Sequence, residues 1–156
     1  MSGSQKGGND TFIGGNNLAG LTGNDTAHLI NQFYGDALVM SDSAQGGNDT
    51  MIGGNNSANG SGGGVANNFW GDALEMTDSA HGGNDYLVGG SSTGSGSVFN
   101  DLAGDADIMR DSTVGGNNTL IGGNSSGGGP VVNYLFGAAE LMEATAEGPP
   151  ALVIIR

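Results

Sequence analysis

Pairs of apolar residues recur along the chain in a fixed frame: Phe12-Ile13, Met51-Ile52, Leu87-Val88 and Leu120-Ile121. Each follows a Gly-Gly-Asn turn and precedes a Gly-Gly step, over residues 7–15, 46–54, 82–90 and 115–123. Further on, the pattern changes to alternation. Leu29, Val65, Val98 and Val131 fall in one column, Asn31, Asn67, Asn100 and Asn133 two residues later, and Phe33, Phe69, Leu102 and Leu135 two later again. A period of two predicts a strand with these three columns on one face. A third set follows a Gly-Asp step: Ala37, Ala73, Ala106 and Ala139, then Met40, Met76, Met109 and Met142, where methionine fills an irregular interior. The predicted fold is all-β, a parallel β-solenoid of about four coils with Gly-rich turns, in which the Asn and Met columns form two internal rows. Stacking at the ~4.8 Å spacing of neighbouring strands would let the asparagine amides bond to one another and so satisfy themselves in the core.

Gly35, Gly71, Gly104 and Gly137 lie 36, 33 and 33 residues apart, and the Gly-Gly-Asn turns keep the same intervals from Gly46 onward. One repeat domain, 1–156, therefore divides into a partial N-terminal coil at 7–28, full coils at 29–64, 65–97 and 98–130, and a degenerate C-terminal cap at 131–156. The three extra residues of the longer copy fall in 55–68, so the stretches 55–64 and 91–97 are expected to bulge outward as surface loops. Pro149 and Pro150 are expected to stop strand pairing at the C-terminal end.

Composition supports a stacked fold over a globular one, because 33 glycines in 156 residues leave little apolar volume for a conventional core. Sixteen acidic residues against three basic ones give a net charge of −13. That field disfavours nucleic acid and anionic membrane as partners, and no apolar run is long enough to insert into a bilayer. With no cysteine, disulfides and thiolate metal sites are excluded. Residues 1–8 contain no apolar stretch of the kind a cleaved export signal needs, so export would use a route that does not read this end.

Aspartates repeat at the coil period in three columns: Asp10, Asp49 and Asp85 in the Gly-Gly-Asn-Asp turn; Asp36, Asp72 and Asp105 in the Gly-Asp-Ala turn; and Asp42, Asp78 and Asp111 after the methionine. Stacking brings like charges together, and two carboxylates ~5 Å apart repel more strongly as the dielectric falls. A divalent cation between turns would neutralise them. Oxygen-only donors from carboxylates and turn carbonyls suit Ca²⁺, whereas Mg²⁺ demands tighter octahedral geometry.

The turns Gly8 to Gly15, Gly47 to Gly54 and Gly83 to Gly90 resemble the RTX, or hemolysin-type, calcium-binding repeats, whose nonapeptide reads Gly-Gly-x-Gly-x-Asp-x-apolar-x. The resemblance implies a right-handed parallel β-roll with the apolar residue pointing inward. It implies Ca²⁺ held by Asp10, Asp49 and Asp85 with carbonyls of Gly8, Gly47 and Gly83 and of the Gly-Gly pairs. It also implies a secreted bacterial protein, exported by type I secretion with an uncleaved C-terminal signal and folded where calcium is millimolar. The short apolar tail at Leu152 to Ile155 is compatible with such a signal and equally with a capping strand. Tandem nine-residue units would give an eighteen-residue coil, so a period of 33 or 36 calls for longer loops or a third strand per coil. Asn118 and Ala138 stand where aspartates are expected and weaken the last coil as a calcium binder.

The expected function is a calcium-binding repeat module, structural or adhesive, whose folding is coupled to extracellular calcium. No enzyme is expected: His28 and His81 do not align, no Ser-His-Asp or carboxylate-pair arrangement stands outside the repeat, and only Glu75, Asp101 and Asp107 are carboxylates that clearly break it. A glycan- or ice-binding surface is the alternative, with Tyr34 and Trp70 as sugar platforms or with Thr11, Thr50 and Thr119 as a row that Tyr86 interrupts. A polysaccharide-active β-helix enzyme is a more distant one.

Overall fold

The computed structural model describes residues 1–18, 28–58 and 63–143. Its strands run β1 (Thr11–Ile13), β2 (His28–Tyr34), β3 (Ala37–Met40), β4 (Thr50–Ile52), β5 (Gly64–Trp70), β6 (Ala73–Met76), β7 (Tyr86–Val88), β8 (Ser97–Ala103), β9 (Ala106–Arg110), β10 (Thr119–Ile121), β11 (Val131–Phe136) and β12 (Ala139–Glu143). They form three four-stranded sheets, ordered β1-β4-β7-β10, β2-β5-β8-β11 and β3-β6-β9-β12. Every pairing is parallel. The described residues therefore form a parallel β-solenoid with three strands in each of four rungs. The third strand accounts for the long period: a two-sided roll needs fewer residues per turn.

Register places each residue on its own counterpart. Leu29, Val65, Val98 and Val131 pair in succession, as do the asparagines two residues on and Phe33, Phe69, Leu102 and Leu135 after them. Differences in repeat length fall between the first and second sheets. Thr11 pairs with Thr50 and Thr50 with Tyr86, intervals of 39 and 36, while β2 pairs with β5 at an interval of 36 and β5 with β8 at 33.

Two apolar clusters fill the interior. Met40, Met76 and Met109 pack with Ala44, Ala73, Ala80 and Ala106 beneath the third sheet, and Met51, Leu87, Phe69 and Leu102 pack between the first and second. Phe33 stacks on its axial partner Phe69 and, across the sheets, on Phe12, with centroids 5.2 Å apart in each pair, a preferred offset separation for aromatic rings.

The asparagine ladder runs along the second sheet, two residues before Phe33, Phe69 and Leu102. Asn31 Nδ2 donates to Asn67 Oδ1 at 2.8 Å, Asn67 to Asn100 at 2.8 Å, and Asn100 to Asn133 at 2.7 Å. Each amide also closes a corner. Asn100 Oδ1 accepts the Gly90 N–H at 2.8 Å and its Nδ2 donates to the Gly90 carbonyl at 2.9 Å; Asn67 does the same for Gly54 at 2.8 and 3.2 Å. Thus one side chain satisfies both backbone groups of a turn glycine and ties the second sheet to the end of the first. The neighbouring glycine must lack a side chain, since a Cβ at Gly89 would lie 2.6 Å from Asn100 Cγ.

Two expectations change. Asn133 and Met142 belong to their columns but are exposed, because they sit on the terminal rung with no described rung beyond to cover them. The stretches 55–64 and 91–97 do not simply bulge outward: Asn56 and Ser92 are fully buried and form stacked bridges, and Asn56 Nδ2 donates to the Gly63 and Ser97 carbonyls at 3.2 and 3.0 Å. A turn backbone that enters the interior needs such internal partners. Residues 59–62 and the tail carrying Pro149, Pro150 and Leu152 to Ile155 lie outside the described residues.

Replacing Asn100 with Leu removes the partner of Gly90 N–H, Gly90 C=O and Asn67 Nδ2 together. The expected cost is at least ~1–3 kcal/mol in denaturant unfolding, the penalty of one unpaired buried polar group. An unchanged midpoint would mean that the ladder carries no stability.

Candidate metal centre

Two aspartate columns that are separate in sequence converge inside the solenoid. Asp36, Asp72 and Asp105 sit in the step between the second and third sheets, where glycine-aspartate forms the bend. Asp49 and Asp85 directly precede β4 and β7. Asp36 Oδ2 accepts the N–H of Gly47 at 2.8 Å, Asp72 Oδ1 that of Gly83 at 3.0 Å, and Asp105 Oδ1 that of Gly116 at 2.7 Å, so each Gly-Asp-Ala carboxylate reaches into the next Gly-Gly turn. Glycine opens the way: a Cβ at Gly46 would lie 1.7 Å from Asp72 Oδ1. Asp49 Oδ1 accepts the Asp10 N–H at 2.6 Å, Asp85 Oδ1 the Asp49 N–H at 2.7 Å, and Asn118 Oδ1 the Asp85 N–H at 2.7 Å.

Two groups of carboxylates result, Asp36 with Asp49 and Asp72, and Asp72 with Asp85 and Asp105. In each, one oxygen per residue lies within 4.8 Å of the others. Asp49, Asp72, Asp85 and Asp105 are all but fully buried. Asp72 is also within hydrogen-bonding reach of the Asp36 and Asp105 carboxyls, a contact that two anions cannot sustain without a proton or cation between them. Asp49 Oδ2 and Asp85 Oδ2 are buried with no hydrogen-bond partner. Among the described residues no ion pair reaches them, and Arg110 is engaged by Glu75 and Glu143 at 3.5 and 3.4 Å.

Electrostatics follow from that burial. Desolvation pushes Asp72 up to about 10, helped by the neighbouring charges of Asp85 and Asp105, and Asp85 to about 8, with Asp49, Asp105 and Asp36 adding to it. Asp49 and Asp105 are each raised by burial to about 6, and Asp36 is raised for the same reason.

The sequence-derived ligand set is only partly brought together. Asp36, Asp49, Asp72, Asp85 and Asp105 meet; Asp10 is exposed at the end of its column and belongs to neither group. Asp42, Asp78 and Asp111 are exposed at left-handed corners, with φ of 59°, 61° and 60°, and join no group. Aspartate tolerates that backbone better than most residues. Asp42 Oδ2 accepts the Gly3 N–H at 3.0 Å and Asp78 Oδ2 the Asp42 N–H at 3.2 Å, so this column pins the corner instead.

Gly47 and Gly83 turn their N–H groups to the carboxylates. The Gly8, Gly47 and Gly83 carbonyls instead aim at the next rung's glycine, where a Cβ on Gly47, Gly83 or Gly116 would lie within 1.5 Å of them. The carbonyls beside the unpartnered oxygens are those of Gly71 and Gly104. A Cβ at Gly35 would meet Gly71 O at 1.8 Å and Asp49 Oδ2 at 2.0 Å; one at Gly71 would meet Gly104 O at 1.7 Å and Asp85 Oδ2 at 2.3 Å. In the sequence these two positions show only as the repeated turn glycine of Gly-Asp-Ala.

Carboxylates and carbonyls, buried, free of sulfur and nitrogen ligands and short of positive charge, fit a hard cation such as Ca²⁺. Searches of protein-family models, curated proteins and solved structures found no match for this chain. The likeness to hemolysin-type repeats rests on the turns alone.

Without metal, the raised pKa values make the folded state bind protons that the unfolded chain releases. Their stability contribution is therefore complete below the ordinary aspartate range near pH ~4 and is lost in steps as pH rises through about 6, about 8 and about 10. In chelator, the melting temperature should fall between pH 5 and 8. A melting temperature that is flat or rises over that interval would show that the carboxylates are not held as described.

Proposed function

We propose that this chain is a calcium-binding repeat module in which Ca²⁺ neutralises the internal aspartate column and thereby couples folding to extracellular calcium. The observation that carries this reading is the pair of buried, partnerless oxygens, Asp49 Oδ2 and Asp85 Oδ2. They lie within a column of five carboxylates that no Lys or Arg side chain among the described residues neutralises. Asp36, Asp49 and Asp72 would hold one ion, with the Gly71 carbonyl adjacent. Asp72, Asp85 and Asp105 would hold a second beside Gly104. The ion would supply positive charge to the column; the chain's part is to fix the carboxylates, exclude water and leave their free oxygens facing one another.

Calcium is favoured over magnesium because backbone carbonyls and carboxylates on stacked turns form an irregular shell, which the larger ion accepts. Extracellular-type affinity, ~10⁻⁴ to 10⁻³ M per site, would leave the fold only marginally stable in a calcium-poor cytosol and stabilise it outside. On this reading it is a secreted structural or adhesive module of the RTX kind. At tenfold excess over its dissociation constant, one ion adds about 1.4 kcal/mol of stability, a large fraction for a fold with a core this thin.

A second reading, a flat surface that recognises a glycan or an ice lattice, draws on the first sheet. Asn9, Asn48 and Asn84 have their side-chain oxygens held by the next rung's N–H at 2.7–2.8 Å, forming an ordered exposed amide row beside Thr11, Thr50 and Thr119. Tyr86 breaks the threonine row, so calcium binding is the better supported function.

Circular dichroism during a calcium titration is the direct test. The chelated protein should show a weaker strand signal and a lower melting temperature, both restored at millimolar Ca²⁺. Asp49→Ala should raise the calcium midpoint severalfold, while Asp107→Ala, outside both groups, should leave it unchanged. An identical spectrum and melting temperature with and without calcium would end this reading, and equal effects of the two substitutions would reduce it to bulk charge.

A further inference from the structure

The step that ends the aspartate column has a different chemistry from the two before it. A Cβ placed at Gly104 would lie 2.1 Å from Gly137 O and 2.4 Å from Asn118 Nδ2, the same pair of positions that holds Gly71 O with Asp49 Oδ2 and Gly104 O with Asp85 Oδ2 in the earlier rungs. Asn118 thus presents an NH₂ group where Asp49 and Asp85 present a bare oxygen. That NH₂ is fully used: it donates to Asp105 Oδ2 at 2.9 Å and to the Gly137 carbonyl at 3.1 Å. Its Oδ1 keeps the structural task of the column by accepting the Asp85 N–H at 2.7 Å.

We infer that the Asn118 amide is a built-in replacement for a cation, which closes the ion column after two sites and lets the last rung pack without metal. The inference rests on the calcium reading and adds to it a stoichiometry and an end. A carboxylate at 118 would face Asp105 and the Gly137 carbonyl with no hydrogen to offer. The amide gives one hydrogen to each, so the oxygen atoms that converge here are already bridged. Ala138, buried where the earlier rungs carry Asp72 and Asp105, removes the third carboxylate as well. The side chain therefore supplies in covalent form the positive character that the two earlier steps take from solution. The isolated buried oxygens, Asp49 Oδ2 and Asp85 Oδ2, mark the steps still open to an ion.

The full chain, its Asp85→Asn variant and its Asn118→Asp variant can be compared by calcium titration calorimetry and by thermal unfolding in chelator. Wild type should bind two Ca²⁺ per chain. Asp85→Asn should place an amide against Asp72 and Gly104 O, lose one ion, and melt in chelator at least ~2 °C above wild type. Asn118→Asp should melt below wild type in chelator and recover most of the difference in calcium. If wild type binds two ions but Asp85→Asn is no more stable than wild type in chelator, the amide is no substitute for the ion and this inference falls while the calcium reading stands. A wild type that binds no calcium would defeat the calcium reading itself, whatever Asp85→Asn does in chelator. Should Asn118→Asp fail to fold under any condition, the Asp85→Asn comparison still decides the question.

Discussion

Parallel, in-register stacking sets each side chain against its own counterpart one rung away, and the remaining architecture depends on how each residue type tolerates its own likeness. Carboxamides tolerate it best, since each carries both a donor and an acceptor, and the column from Asn31 to Asn133 becomes a continuous chain of bonds. Phenyl rings and methionines tolerate it through offset contact and flexibility. Buried carboxylates do not tolerate it without a proton or a cation between them. The same geometry that rewards the asparagine column concentrates negative charge in the aspartate column, and the chain has placed both in the interior.

The balance between these columns explains the composition. With so many glycines the backbone can approach itself closely at the corners, and side chains from one rung can reach backbone groups of another. Closeness replaces apolar bulk. Much of what an ordinary core obtains from large side chains is obtained here from saturated polar contacts, which hold only while every partner is present.

Strand columns were legible in the sequence because register in a solenoid is written as a period: Leu29, Asn31 and Phe33 predict their own neighbours at Val65, Asn67 and Phe69, and the pairing follows. What a period cannot show is which columns face each other across the interior. Asp49 and Asp72 read as members of separate sites because they belong to different turns, and only the closed coil brings them into one group. In the same way Asp42, Asp78 and Asp111 look like ligands by spacing, whereas their left-handed backbone and exposure make them corner residues. Gly71 and Gly104 were visible only as turn formers, since a carbonyl's direction is set by the bend and leaves no trace in residue type.

The asparagine ladder also has a sense of direction. Every Nδ2 donates toward the C-terminal rung, so the amide dipoles add head to tail, in the manner of peptide dipoles along a helix. Reversing one amide would set two NH₂ groups face to face on one side and two oxygens face to face on the other, while also breaking its bonds to the turn glycine. No member can turn alone. Orientation along the column is then a collective variable with a single allowed value, and an inserted or deleted rung preserves it only if its own amide points the same way.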